Sequence, residues 1–165
     1  MAVRKEALFS GFGGQGVVLA GRSLGLAAVI GGLEATMLVN HGTETRGGYV
    51  RSQVVISDEE IDSPLVERPD ILLALSQAAY NRFKPLAAQG LTLFDPDLVR
   101  PGEFPGREAP LMTRKLALEL GSELAANMVA LGKVLKLLGL VPLEAARQAI
   151  RELSKRGLEI NLAAL

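Results

Sequence analysis

Short apolar runs alternate with glycine-rich turns along the first part of the chain. The run at 7–10 stops at a glycine cluster, and a Val-, Leu- and Ala-rich stretch then extends over 17–30 and ends at Gly31-Gly32. This order predicts a strand, a glycine turn, a helix and a glycine at the helix C-terminus. The later runs predict one more helix at 77–88 and four more strands, at 35–39, 49–57, 70–75 and 91–94.

The second part of the chain has a helical pattern that follows a turn-rich segment. Residues 100–110 contain three prolines and two glycines, which indicates a loop or linker. The patterns beyond it predict three helices, which begin at Thr113, Ser122 and Pro142 and end near 120, 138 and 157. Because strands and helices alternate before these last helices, we expect an α/β fold whose sheet is covered on both faces.

Composition narrows the range of functions. The 165 residues suit one domain. The 18 basic and 18 acidic residues leave no excess positive charge for a nucleic-acid partner. The absence of cysteine excludes a thiolate nucleophile, a Cys-ligated zinc and a Cys-held iron–sulfur cluster within the chain, and His41 is the only histidine.

The apolar content is high, at 48% before the 18 glycines are counted, with a mean hydropathy of +0.26. Either a sheet buried on both faces or a surface that meets another subunit accounts for this content. The longest apolar run contains three glycines and is too short to span a bilayer. We therefore expect a cytoplasmic protein without a membrane partner.

The glycine cluster fits the pattern G-x-G-x-x-G at Gly11, Gly13 and Gly16, between a predicted strand and a predicted helix. Glycines allow the backbone to approach a ligand, and the helix N-terminus offers N–H donors to an anion. Close packing of helix on sheet is the alternative explanation. A dinucleotide site also needs an acidic residue at the end of the second strand, where this chain has Val39-Asn40.

A second unusual stretch, at 41–48, places Arg46 beside Gly47 and Gly48 after a predicted strand. Ligands of open α/β sheets bind at strand ends of this kind, so Arg46 is a candidate ligand residue. The alternative is a hairpin-like turn with Arg46 solvated or paired with Glu44. His41 is interpreted as a loop residue rather than a base. The carboxylates near residue 60 are interpreted as a solvated turn rather than a metal site.

Several motifs in a fixed order resemble the gamma subunit of the 2-oxoacid:ferredoxin oxidoreductases. Residues 11–16 resemble the GxGGQG start of that family, and residues 42–48 resemble its G-x-E-x-RGG stretch. Further matches are VVISD with I-x-SP at 54–64, PD before a strand at 69–72, and NMxALG at 127–132. The resemblance implies a single gamma-type domain over 1–165, with a mostly parallel Rossmann-like sheet, helices on both faces and a helical C-terminal part.

The same resemblance implies the activity of the complex. A 2-oxoacid, coenzyme A and oxidised ferredoxin would give acyl-CoA, CO2 and reduced ferredoxin. Alpha, beta and, where present, delta subunits would carry thiamine diphosphate, Mg²⁺ and [4Fe–4S] clusters, so that this chain holds no catalytic or metal-ligating residue and is inactive alone. The family's glycine motifs make the following residues candidates for contact with coenzyme A: Gly11, Gly13, Gly14, Gln15, Gly16, Arg46, Gly47 and Gly48. A stand-alone NAD(P)- or nucleotide-binding oxidoreductase and a purely structural subunit are the alternatives.

Overall fold

The computed structural model describes residues 2–42 and 49–165, within which one sheet of six strands forms in the order β2-β3-β1-β4-β5-β6. The strands are β1 (Arg4–Gly11), β2 (Glu34–His41), β3 (Val50–Ser57), β4 (Ile71–Ala74), β5 (Leu91–Phe94) and β6 (Arg107–Pro110). Strands β1, β4, β5 and β6 pair in parallel, whereas β3 runs antiparallel to both β1 and β2. The carboxyl ends of β1, β4, β5 and β6 therefore meet at one edge of the sheet, which we call the carboxyl edge.

Helices cover both faces of this sheet. They are α1 (Val17–Ile30), α2 (Gln77–Phe83), α3 (Thr113–Glu119), α4 (Ala126–Leu138), α5 (Leu143–Leu153) and α6 (Leu158–Ala164). On one face, Leu24 of α1, Leu131 of α4 and Ile150 of α5 belong to the large buried core. On the other face, Phe83 of α2 packs with Leu8 of β1. The predicted α/β class, with a mostly parallel sheet and a helical C-terminal part, is confirmed.

Several predicted elements differ in the structure, among them the helix predicted from Ser122, which begins as a 3-10 helix over Glu123–Ala125 before α4 starts at Ala126. The segment 100–110 contains β6, a short strand that the pattern missed because it lies at the sheet edge and its side chains are largely exposed. The predicted helix 77–88 ends at Phe83 and continues as a 3-10 helix over Lys84–Ala87, because Pro85 has no N–H for the α-helical ladder. Strand β2 extends to His41, so His41 lies in a strand and not in a loop.

The last predicted helix is two helices. Pro142 directly precedes α5, and the chain then turns at Gly157, whose φ of 66° is in the left-handed region, before α6 begins. Asn161 donates a side-chain hydrogen bond to Ser154 Oγ over 3.1 Å and stabilises this turn. None of the helices within residues 2–42 and 49–165 has the length and apolar character needed to cross a membrane.

Candidate functional site

The glycine cluster forms a loop at the carboxyl edge, where β1 ends at Gly11 and α1 begins at Val17. We call residues 11–16 the glycine loop. The end of β4 lies beside it, because Leu75 donates its backbone N–H to the carbonyl oxygen of Ser10 over 2.8 Å. The position is that of a ligand site in open α/β sheets, at the carboxyl ends of the strands.

Gln15 fixes the glycine loop to the end of β4. Its Oε1 accepts a hydrogen bond from the backbone N–H of Phe12 (2.6 Å), and its Nε2 donates to the carbonyl oxygen of Leu75 (2.8 Å). A Cβ placed on Gly11 would collide with Gln15 Oε1 and lie 3.0 Å from the Cβ of Leu75. Gly11 and Gln15 thus have a structural role in holding the loop.

Gly16 is held from the C-terminal half of the chain. Its φ of 76° is in the left-handed region, and Asn127 Nδ2 donates to its carbonyl oxygen over 3.2 Å. A Cβ on Gly16 would collide with the Asn127 side chain, which is buried. Sequence reasoning placed Asn127 in a family motif but gave it no role. The sequence signal is an asparagine within an otherwise apolar helical stretch, since a polar side chain that becomes buried there needs a partner.

Gly13 and Gly14 differ in whether the structure explains why the position is a glycine. Gly14 has a φ of 91°, which favours glycine, whereas the φ of Gly13 lies outside the left-handed region. A Cβ on Gly13 would have no atom of the described chain within 4 Å. Neither backbone conformation nor packing within the described residues therefore explains a glycine at this position.

The N-terminus of α1 faces the same loop. Gly16 precedes the helix and offers no side chain to cap its first N–H groups, and the first turn contains no acidic residue. These N–H groups and the helix dipole favour an anion at this end of α1. The loop and the helix together form a place that suits a phosphate group.

Arg46, Gly47 and Gly48, with the rest of 43–48, lie outside the described residues. The described residues on either side of them lie beside the glycine loop. Gly42 donates its N–H to the carbonyl oxygen of Tyr49 over 2.7 Å, and Val50 is paired with Gly11 in the sheet. The described residues that flank the 43–48 segment therefore lie beside the glycine loop.

A pocket of about 310 Å³ lies on the β4–β5 side of the glycine loop. We call it the leucine pocket; Gly14, Gln15, Leu75, Leu98, Leu124 and Ala126 line it. At its border the Nε of Arg114 and the Oε1 of Glu123 form an ion pair at 2.5 Å. Sequence reasoning missed this pocket, because its walls come from segments that are distant along the chain.

A buried carboxylate organises one wall of the leucine pocket. Asp95, at the end of β5, accepts hydrogen bonds on Oδ2 from Thr113 Oγ1 (2.7 Å) and from the backbone N–H of Arg114 (2.9 Å). Its Oδ1 accepts from the backbone N–H of Asp97 (2.9 Å). Because Thr113 and Arg114 begin α3, Asp95 sets where that helix starts.

The opposite edge of the sheet holds the carboxylates near residue 60. Asp58 accepts a hydrogen bond from the backbone N–H of Val3 (2.7 Å), and Asp62 lies 3.6 Å from Arg4 while almost fully exposed. Across the described ranges, no group of three or more His, Cys, Asp or Glu residues is placed to hold a metal ion.

A polar cluster ties α2 to the edge strand β6. The Tyr80 hydroxyl donates to Glu108 Oε2 over 2.7 Å, and Lys84 Nζ donates to the carbonyl oxygen of Arg107 over 3.2 Å. Burial raises the pKa of Tyr80, and the hydrogen bond to Glu108 adds to the shift. Burial lowers the pKa of Lys84. The cluster is a structural connection, since each group is engaged within the chain.

The end of β2 does not have the arrangement of a dinucleotide site. Asn40 Oδ1 already accepts hydrogen bonds from Gln53 Nε2 (2.7 Å) and Arg51 Nε (3.2 Å). In addition, β3 separates β2 from β1, whereas the Rossmann site has these two strands side by side. A ribose-binding carboxylate at this position is absent from the sequence.

Comparisons with known proteins agree with one another. The sequence profile of the family described as pyruvate ferredoxin/flavodoxin oxidoreductase matches residues 6–165. Subunit KorC of 2-oxoglutarate synthase from Methanocaldococcus jannaschii is 41% identical over 163 residues, covering 95% of this chain and 87% of the relative. Ketoisovalerate oxidoreductase subunit VorA from Methanothermobacter thermautotrophicus is 37% identical over 145 residues, which cover 86% of this chain and 30% of the relative.

Among solved structures, the gamma subunit of a keto/oxoacid ferredoxin oxidoreductase from Geobacter sulfurreducens has the same fold. The TM-score is 0.84 at 34% sequence identity, and the alignment covers 98% of this chain and 92% of the other. The similarity therefore extends over nearly the full length of both chains.

Proposed function

This chain belongs to the pyruvate ferredoxin/flavodoxin oxidoreductase family, and we propose that within its complex the glycine loop binds the phosphates of coenzyme A. The chain is a gamma-type subunit of a multi-subunit 2-oxoacid:ferredoxin oxidoreductase. The stand-alone NAD(P)- or nucleotide-binding alternative is not favoured, because the relatives are subunits of such enzymes. We treat residues 1–165 as one gamma-type domain, in keeping with the family match over 6–165.

The observation that carries the proposal is Gly13. A side chain there would meet nothing in the described chain, yet the position is glycine and lies beside the uncapped first turn of α1. Such a residue fits a bound group that approaches the backbone closely. Coenzyme A is the co-substrate that the family resemblance implies, and its phosphates are anions that the N-terminus of α1 favours. Arg46, Gly47 and Gly48 are further candidates for the same contact.

The groups that perform the bond breaking belong to partner subunits in this proposal. Iron–sulfur clusters are held by cysteine thiolates, and the chain has no cysteine. The residues do not fit a metal-bound diphosphate either, since the described part has no carboxylate or histidine cluster for the ion. We assign thiamine diphosphate, Mg²⁺ and [4Fe–4S] clusters to alpha, beta and, where present, delta subunits, and ferredoxin as the acceptor. The isolated chain is then inactive.

The test compares two glycines in the assembled complex. Gly13→Val should raise the Kd for coenzyme A about tenfold, which corresponds to ~1.4 kcal/mol, while the complex still assembles. Gly25→Val is the matched control, because a Cβ at Gly25 in α1 also meets nothing within 4 Å but lies away from the loop. Arg46→Ala is expected to act in the same direction as Gly13→Val. Unchanged affinity in both loop variants, measured by calorimetry, would refute the proposal.

We propose 2-oxoglutarate as the 2-oxoacid of the complex. The support is the 41% identity with a subunit of 2-oxoglutarate synthase over 95% of this chain. The test is reduction of a viologen dye by the purified complex with coenzyme A and either 2-oxoglutarate, pyruvate or 2-oxoisovalerate. The highest kcat/KM is expected with 2-oxoglutarate, and a preference for either of the other acids would replace this assignment.

A further inference from the structure

The two outer strands of the sheet differ in how they are protected against pairing with a further strand. Strand β6 has only four residues, Arg107–Pro110, among them two charged residues and a proline. Strand β2 has eight residues without a proline, a lysine or an arginine, and its one acidic residue is the first, Glu34. Short length, charges and prolines are the features that keep outer strands from pairing. Strand β2 lacks most of them, and within the described residues β3 is its only partner strand.

The hydrogen bonds between β2 and β3 determine which backbone groups of β2 remain free. Directly after β2, Gly42 donates its N–H to the carbonyl oxygen of Tyr49 over 2.7 Å, and the same register continues along both strands. In an antiparallel ladder every second pair exchanges hydrogen bonds, so the even-numbered residues of β2 bond to β3. The odd-numbered residues point their N–H and C=O groups away from β3. These residues are Ala35, Met37, Val39 and His41.

We propose that two copies of this chain pair along β2 in antiparallel orientation and join their sheets into one. The free groups can bond to each other only in a register that sets odd-numbered residues opposite odd-numbered residues. The register centred on Leu38 meets this condition and uses all of the free residues. Ala35 then lies opposite His41 of the second copy, and Met37 lies opposite Val39 of the second copy. The twofold symmetry of this pair requires only one surface on each copy.

The side chains of β2 suit this register. Leu38 lies opposite Leu38 of the second copy in a non-hydrogen-bonded pair, in which side chains approach most closely. Met37 lies opposite Val39 of the second copy, and Val39 is 38% exposed in the single chain, so each copy covers apolar surface of the other. Glu34 lies opposite Gly42 of the second copy, so the two carboxylates are at opposite ends of the paired strands. Strand β2 is therefore complementary to a second copy of itself.

Helix α1 presents apolar side chains beside β2. Val18 borders the same cavity as His41, and Val29 lies about three turns further on the same side of the helix and is 53% exposed. Opposite residues of the paired strands share one face of the sheet, so both copies of α1 lie on that face, with Val18 of one copy level with Val29 of the other. Arg22, the only charged residue of α1, is exposed, and its guanidinium can stay in solvent while its methylene groups cover apolar surface.

The pairing also determines how the glycine loops of the two copies are placed. Strand β2 runs parallel to β1, because β3 is antiparallel to both. The two copies of β2 run in opposite directions, so the carboxyl edges of the two copies face opposite ways. The dimer therefore links two separate glycine loops that lie on opposite edges of the joined sheet.

Disulfide cross-linking tests the register, because the chain has no cysteine of its own. In the proposed dimer the Cα atoms of the two Leu38 residues lie about 4.5 Å apart, a distance that suits a disulfide. On mild oxidation of the purified chain, Leu38→Cys should give a product of twice the 17.5 kDa of one chain. Asn40→Cys is the matched control, because the two Asn40 residues lie about 13 Å apart along the strands. A mixture of Asn40→Cys with Thr36→Cys should cross-link, since these two positions lie opposite each other.

Sedimentation equilibrium of the chain tests the pairing without a cross-link. Val39→Pro should raise the dissociation constant of the dimer at least about tenfold. The chain should stay folded, because the N–H of Val39 points away from β3 and proline removes no hydrogen bond of that ladder. Val39→Ala keeps the N–H and is the control. If circular dichroism shows that Val39→Pro is unfolded, Val39→Lys tests the same position by placing a charge opposite Met37 of the second copy.

Three results would overturn the proposal. A monomeric wild-type chain at high micromolar concentration would show that β2 does not pair with a second copy, and β2 would then be open to a strand of a different subunit. Cross-linking of Leu38→Cys no faster than that of Asn40→Cys would exclude the register. A dimer that persists unchanged in folded Val39→Pro or Val39→Lys would place the interface elsewhere on the chain.

Discussion

The side-chain amide of Asn127 donates a hydrogen bond to the carbonyl oxygen of Gly16 over 3.2 Å, between residues that are 111 positions apart. Its Oδ1 accepts from the backbone N–H of Met128 over 3.0 Å, so both polar atoms of the amide are used. Gly16 is the residue from which α1 starts, and Asn127 is the second residue of α4. The C-terminal half of the chain thus positions the glycine loop of the N-terminal half.

Replacing Asn127 tests this connection. Asn127→Ala removes one of two hydrogen bonds to the carbonyl oxygen of Gly16, which still accepts the backbone N–H of Ala20 (3.0 Å), and it deletes an amide that is only 3% exposed. We expect a loss of about 0.5–1.5 kcal/mol in the free energy of unfolding, together with weaker coenzyme A binding by the complex. Urea unfolding of the chain measures the first effect. The exposed Asn81→Ala is the control, and equal stability of the two variants would show that the bond contributes nothing.

Local patterns predicted the elements that position the site. The apolar run of β1, the glycines and the helical stretch of α1 each have a sequence signal within a few residues, and all three are present as predicted. Strand β6 and helix α6 lacked such signals. The strand has only four residues at an exposed sheet edge, and α6 is separated from α5 by a turn whose glycine also reads as a helix end.

The contacts within the site could not be predicted from the sequence, because they join segments that are distant along the chain. Gln15 bonds to Leu75 across 60 residues, and the leucine pocket draws its walls from the glycine loop, β4 and α4. The spacing of the four glycines in the sequence also does not distinguish one from another. Only their backbone conformations and neighbouring atoms in the structure do so. Packing favours glycine at position 11, φ favours it at position 14 and both favour it at position 16, whereas neither explains Gly13 within the described residues.

The adjacent glycines Gly13 and Gly14 should respond differently to the same substitution. Gly14→Ala forces a residue with a Cβ into a φ of 91° and is expected to destabilise the chain by about 1–2 kcal/mol. Gly13→Ala has open space and an ordinary φ, so stability should stay unchanged or rise by up to about 1 kcal/mol. Thermal unfolding of the two variants measures the difference. A large loss in Gly13→Ala would mean that this glycine is needed for folding and not for a ligand.

Asp95 should be required for the wall of the leucine pocket. The buried carboxylate accepts three hydrogen bonds, from Thr113, Arg114 and Asp97. In Asp95→Asn one acceptor is replaced by an NH2 group that faces a donor, and we expect a loss of about 2–3 kcal/mol in unfolding free energy. Asp97→Asn, an exposed neighbour, is the control. Similar urea midpoints for both variants would contradict a structural role for the Asp95 carboxylate.

The lowered pKa of Lys84 predicts the direction in which the free energy of unfolding changes with pH. Because burial lowers this pKa in the folded chain, the unfolded chain binds more protons between the lowered value and the ordinary one of 10.5. The free energy of unfolding should therefore rise with pH within that window, and this contribution is lost as the pH falls through the folded pKa. Lys84→Met removes the titration, so the stability of the wild type relative to Lys84→Met should increase toward pH 10.

Urea unfolding of both proteins between neutral pH and about pH 10 measures this difference. Tyr80 and Glu108 are present in both proteins, so their own contributions to the pH dependence of the unfolding free energy cancel to first order. Lys136→Met, in which an exposed lysine of α4 is replaced, is the matched control. If the difference in unfolding free energy between the wild type and Lys84→Met did not change with pH, the lowered pKa of Lys84 would be contradicted.

We expect a partner subunit to bind at the exposed leucines on α3 and directly after it. Leu116, Leu118 and Leu120 are exposed, and Leu124 is 83% exposed beside the leucine pocket. Apolar side chains grouped in this way on a subunit are typical of an interface.

The double variant Leu118→Ser, Leu124→Ser should leave the chain folded, since neither side chain is buried, but should reduce the amount of partner that copurifies. Leu143→Ser, at a comparably exposed leucine on α5, is the control. Complete assembly of the double variant would place the interface elsewhere.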